Sequence, residues 1–163
     1  MKHTISILVE NHAGVLARVA GLFARRGFNI DSLAVGVTED EKISRITIIA
    51  DGTAYTLEQI EKQLNKLIDV IKVRHLPAEE LLSRELVLIK VACQPSQRAE
   101  LISLAEIAKA KISDITVNTI TLELSDSVPR IKTFEELLRP YGIKETVRTG
   151  SIAMQKGGAS MKL

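Results

Sequence analysis

One feature of this sequence constrains its fold more than any other: a single order of strands and helices runs through it twice. Residues 3–10 alternate, with Ile5, Ile7 and Val9 on one side and Thr4, Ser6 and Glu10 on the other, the pattern of a half-buried strand. An amphipathic helix follows, with Leu16, Val19, Ala20 and Phe23 as its apolar stripe and Gly27 as its stop. Ile30–Val37 and Ile43–Ala50 read as strands joined by the acidic turn Thr38-Glu39-Asp40-Glu41. A second helix opens at Thr56, with Gln59 three residues on as in a capping box, and presents Leu57, Ile60, Leu64 and Leu67 on one face. Val70–Leu76 closes the set as a strand.

After Pro77 and the polar stretch 78–84 the order returns. Glu85–Cys93 reads as a strand and Ser96–Lys111 as a helix, with Leu101, Leu104, Ala105 and Ala108 in register. Ile112–Asn118 and Ile120–Leu124 are strands. Thr133–Tyr141 is a helix with a second capping-box pattern at Thr133 and Glu136, and Ile143–Thr149 ends the set. The predicted fold class is α+β: two tandem βαββαβ (ferredoxin-like) domains, each an antiparallel sheet with its helices on one face. The division expected is a first domain over 1–76, a linker over 77–84, a second domain over 85–150 and a flexible tail over 151–163. Such a sheet leaves an edge or a face to be covered, and a homodimer is the natural solution.

Composition closes off several function classes. The 22 basic and 20 acidic residues balance, and residues 1–76 hold 10 and 9 of them, so neither half is a basic module and no nucleic acid is expected as partner. Aromatic residues are 3% of the chain, too few for base-stacking platforms. No apolar run approaches the roughly 18 residues that span a bilayer, and no signal peptide opens the chain, so no membrane partner and a cytoplasmic location are expected. Cys93 is the single cysteine, set in an apolar strand without a local base. His3, His12 and His75 are scattered, so no metal site and no catalytic set is expected, and the chain reads as no enzyme.

The segment Glu10–Leu16 is the most informative stretch. It leaves a strand and enters a helix within a few residues, with Gly14 in the first turn. Two readings share these residues. Asn11 can cap the helix while Gly14 eases a tight turn. Alternatively, the free N–H groups of the helix start hold a carboxylate, and the Asn11 side chain accepts from the ammonium group or donates to the carboxylate of a zwitterionic amino acid. Asn29 lies at the other end of the same helix. Within one chain it cannot reach a ligand held at Asn11, so a ligand touching both must lie between two subunits.

Longer strings carry a family resemblance. Asn11-His12-Ala13-Gly14-Val15-Leu16, Gly27-Phe28-Asn29-Ile30-Asp31-Ser32-Leu33, Ser44-Arg45-Ile46-Thr47-Ile48 and Gln63-Leu64-Asn65-Lys66-Leu67-Ile68-Asp69-Val70 follow in close order. The chain resembles the regulatory (small) subunit of acetohydroxyacid synthase, also called acetolactate synthase, densely over residues 2–76 and more thinly to about residue 155. The resemblance implies that the first domain is an ACT domain. It implies a non-catalytic subunit that activates a catalytic large subunit and confers feedback inhibition by valine in branched-chain amino acid biosynthesis. Valine then meets Asn11, Gly14, Val15 and Leu16 of one chain, with Asn29 and Ile30 from the other. Thiamine diphosphate, Mg and FAD are expected on the catalytic subunit and no cofactor on this chain. Gly36 stands where family members often carry Ala. The alternative reading is an ACT-type amino-acid-binding regulator of a different enzyme or of transcription, which the lack of a helix-turn-helix and of a basic face disfavours.

Overall fold

A computed structural model describes residues 1–162 of the chain. It divides into two units, residues 1–83 with 151–162, and residues 84–150. In the first unit the order is β1 (Lys2–Glu10), α1 (Val15–Arg25), β2 (Ile30–Val37), β3 (Ile43–Asp51), α2 (Ala54–Leu64) and β4 (Val70–Leu76). The strands form one antiparallel sheet in the order β2-β3-β1-β4, so β2 and β4 are its edges. Alternation along β1 and β3 does what it predicts: Ile5, Ile7, Ile46 and Ile48 are buried against one face, where both helices pack. Burying such a side chain is worth about 1.5–3 kcal/mol. Phe23, edge-on to Phe28 at 6.2 Å, and Ile60 and Leu64 complete that core.

The stripe on α1 is rotated from the predicted one. Val15, Val19, Leu22 and Phe23 are buried, whereas Leu16 is 43% exposed. Both stripes satisfy a 3.6-residue period, and the choice between them follows from where the helix starts. That start is Gly14, which takes φ +87°, a left-handed conformation that costs other residues about 1–2 kcal/mol. Gly27, at φ +69°, ends the helix as expected. On α2 the cap is Thr53 rather than Thr56: the Thr53 hydroxyl accepts from the Thr56 amide at 3.2 Å. The helix therefore begins three residues earlier than the capping-box pattern places it.

The second unit carries β5 (Leu81–Ala92), α3 (Arg98–Ala108), β6 (Lys111–Ile115), β7 (Thr119–Asp126), α4 (Val128–Leu138) and β8 (Ile143–Arg148). Its sheet order is β6-β7-β5-β8, the same arrangement as in the first unit. A 3-10 turn at Pro95–Gln97 precedes α3, so this helix starts later and ends earlier than predicted. Helix α4 starts five residues before Thr133. Pro129 sits in its first turn, where a missing N–H costs nothing, and the Thr133 hydroxyl donates to the Pro129 carbonyl within the helix. The second capping-box pattern is thus not a cap.

Two boundaries differ from the sequence reading. The strand β5 begins inside the predicted linker, at Leu81. The predicted tail contains a further strand, β9 (Ile152–Gln155), which pairs with β5, and the segment 151–162 packs on the first unit. Leu163 lies outside the described residues. No helix among the described residues is long and apolar enough to cross a membrane.

Candidate functional site: the loop between β1 and α1

The loop leaving β1 is held on two sides by the backbone. Glu10 N–H donates to the Asp69 carbonyl at 2.9 Å and Asn11 N–H to the Lys42 carbonyl at 2.7 Å. The Asn11 side-chain amide donates to the Glu41 carbonyl, also at 2.7 Å. Asn11 therefore does not cap α1; it ties the loop to the β2–β3 hairpin tip. Because Gly14 is the N-cap, no side chain accepts from the first-turn amides, and no acidic residue lies in that turn. Arg18 N–H returns to the Gly14 carbonyl at 3.0 Å and closes the first turn. An anion meeting Val15 and Leu16 at this helix start finds free N–H groups and the positive end of the helix dipole.

Beneath the loop sits Asp69, a buried carboxylate that sequence reasoning missed. One of its oxygens accepts from Arg18 Nε at 2.6 Å and the other meets His12 Nε2 at 3.0 Å. His12 also reaches Glu10 Oε2 at 3.2 Å and the Ala13 carbonyl at 3.2 Å. The only signal for Asp69 was an acidic residue between Ile68 and Val70, a local pattern that says nothing of Arg18, 51 positions away. Glu10, His12 and Asp69 offer donor atoms within 4.8 Å of one another, a geometry a metal ion could use. Arg18 already neutralises Asp69 there, and its charge opposes a second cation.

The Ala13 carbonyl raises the His12 pKa above its ordinary value; desolvation opposes it, and Glu10 and Asp69 add to the rise. The imidazolium's attraction to its two carboxylates is therefore fully present below the unfolded value of about 6.5 and lost as pH rises through the higher folded one. An NMR titration is expected to find His12 above that value, with Glu10→Gln moving it down.

Of the six residues the resemblance implies, Asn11, Gly14, Val15 and Leu16 come together at the start of α1. Val15 is buried and offers its backbone; Leu16 offers its side chain. Asn29 and Ile30 lie at the opposite end of α1, about 16 Å away over 11 helical residues. There Asn29 Nδ2 donates to Asp31 Oδ1 at 3.1 Å. Each end has its own surface cleft. One, of about 670 Å³, is lined by Asn11, His12, the hairpin tip Asp40–Ile43 and Ile71; the other, of about 620 Å³, by Gly27, Phe28, Asn29 and the Asp51–Thr53 turn. A Cβ at Gly36 would meet nothing within 4 Å, so that departure from the family leaves open space.

Residues 5–72 match the family described as the AHAS small subunit-like ACT domain, and residues 84–157 the family described as the small subunit of acetolactate synthase. A probable acetolactate synthase small subunit of Archaeoglobus fulgidus is 50% identical over 96% of this chain and 98% of its own length. The chain belongs to the acetolactate synthase small-subunit family. A probable small subunit of Methanothermobacter thermautotrophicus is 51% identical over 98% of this chain and 95% of its own. The crystal structure of the acetolactate synthase small subunit from Thermotoga maritima superposes with a TM-score of 0.91 at 38% identity, covering 98% of this chain and 99% of that one. Tandem ferredoxin-like architecture and an ACT-like first domain are thereby family properties of this chain, and its place is that of a regulatory subunit.

Proposed function

We propose that the chain is the non-catalytic subunit of a cytoplasmic acetolactate synthase, that it raises the activity of a catalytic large subunit, and that it confers feedback inhibition by valine bound between two copies of itself. The observation that carries this reading is the placement of Asn11 and Asn29 at opposite ends of one helix, each on the rim of a surface cleft that Gly14, Val15, Leu16 and Ile30 do not line. A homodimer supplies the missing half. Strand β2 is a free sheet edge with Val35 and Val37 exposed, an arrangement that invites a second strand. Antiparallel pairing of two β2 edges about a two-fold axis sets the start of one β2, with Asn29 and Ile30, beside the end of the other. The Thr38–Lys42 tip beyond that end is the one tied to Asn11. One asparagine from each subunit then faces a shared cleft. The helix start takes the valine carboxylate and Leu16 lines the isopropyl group.

Valine alters the large subunit only if it binds the small subunit's two arrangements unequally, a coupling of typically 1–3 kcal/mol. Selection among branched-chain amino acids is soft, because one methylene is worth only about 1–3 kcal/mol. Thiamine diphosphate, Mg and FAD belong on the large subunit in this reading. Calorimetric titration of the purified chain with valine, alongside its mass in solution, tests the site. Saturable binding to a dimer, weakened about tenfold in Asn11→Ala, is the expected result; binding to a monomer, or none, contradicts it.

A further inference from the structure

A sheet with helices on one face leaves its other face bare unless something covers it. Here Ser6, Leu8, Thr47 and Leu76, which alternate away from the helix-side core, are all buried. The segment 151–162 lies across them. Its first amide, Ser151 N–H, donates to Ser32 Oγ on β2 at 2.8 Å. Arg45 on β3 then donates twice: Nε to Ser6 Oγ on β1 and Nη2 to the Ala153 carbonyl, both at 2.8 Å. On β4, Arg74 reaches Gln155 and the Ser160 carbonyl at 3.3 Å, and Lys72 Nζ the Lys162 carbonyl at 2.6 Å. The segment is thus bonded to β2, β3 and β4, with β9 lying against β1 and β4.

Its two ends fall at the two halves of the candidate site. Ser32, where it begins, follows Asn29 by three residues and Ile30 by two. Met161 and Lys162, where it finishes, line a small cleft of about 220 Å³ with Leu8, Thr38, Asp40 and Ile43, against the hairpin tip that Asn11 holds. We infer that residues 151–162 are a strap that ties the start of β2 and lies beside the hairpin tip beyond its end, and that Arg45 is the positioning residue through which the strap sets the valine site. The inference rests on the valine reading above. Arg45 suits this role because its guanidinium fork serves two acceptors at once, which a lysine cannot match. Burial and then the neighbouring Arg74 charge lower the Arg45 pKa, and the Ala153 carbonyl offsets part of the cost of holding that charge there.

Hydrogen exchange on the full chain, with and without L-valine, tests this beside the calorimetric affinity. In Arg45→Ala, amides of 151–156 are expected to exchange at least tenfold faster, amides of 38–43 to follow, and valine to bind about tenfold more weakly; Arg45→Lys recovers part of each. Lys72→Met, which leaves β3 untouched, loosens 160–162 and the hairpin tip alone and serves if Arg45→Ala does not fold. A strap that opens while 38–43 and the valine affinity stay unchanged overturns the inference, as does a strap that does not open in either variant. If the natural chain binds no valine, the valine reading fails on that result, and the coupled exchange of 151–156 with 38–43 still decides whether the strap holds β2.

Discussion

Gly14→Asp is expected to abolish valine binding while the chain still folds. The backbone at Gly14 has φ +87°, so any other residue there costs about 1–2 kcal/mol. Space is available, since a Cβ would lie 3.5 Å from Arg18 Nη1, an ordinary contact. A carboxylate at a helix start is otherwise favourable, by about 0.3–1 kcal/mol, and Arg18 is near enough to pair with it. The fold therefore survives. The new carboxylate occupies the place proposed for that of valine, and two like charges about 4 Å apart near a surface repel by up to about 4 kcal/mol, which is up to roughly a thousandfold in affinity. Calorimetry and a thermal midpoint on the same sample separate the two effects. Gly14→Ala carries the strain without the charge and should lose far less; equal losses in the two variants would mean that backbone geometry, not anion competition, governs the site.

Asp69→Ala should be the most damaging change to the loop itself. It leaves Arg18 and His12 without their shared partner, beneath a loop whose backbone is pinned to residue 69. Breaking a fully buried ion pair costs about 3–5 kcal/mol. Arg18 is half exposed and recovers solvation, so the loss here is about 1–3 kcal/mol. For a domain of this size that lowers the unfolding midpoint by roughly 4 °C or more. Asp69→Asn keeps neutral acceptors and should fall between. A midpoint unchanged in Asp69→Ala would show that the loop is held by its backbone bonds alone.

These two residues also mark how far the sequence could be read. The repeated order of elements, the bounds of β2, β3 and β4 to within a residue, and the isolation of Asn11 from Asn29 all follow from periodicity and helix length, which are local. What failed was decided elsewhere. Two stripes on α1 fit one period, and the left-handed turn at Gly14 chose between them, leaving Leu16 outside the core. Thr53 and Thr56 are both good caps, and only the hydrogen bond at Thr53 tells them apart. Glycines at 157 and 158 make the tail from residue 151 onward read as flexible. The carbonyls that make a strap of it are bound by Lys72, Arg74 and Arg45, each more than 80 positions away. Asp69 is the same case. A buried carboxylate announces itself through partners that sequence spacing does not reveal.

In the proposed function this chain regulates a catalytic subunit through valine. The most direct measurement is the rate at which the catalytic large subunit from the same organism consumes pyruvate, alone and with this chain added, each with and without valine. A faster rate is expected with the chain present, and inhibition by valine only then. A large subunit that is fully active and valine-sensitive by itself, and unmoved by the added chain, would contradict it.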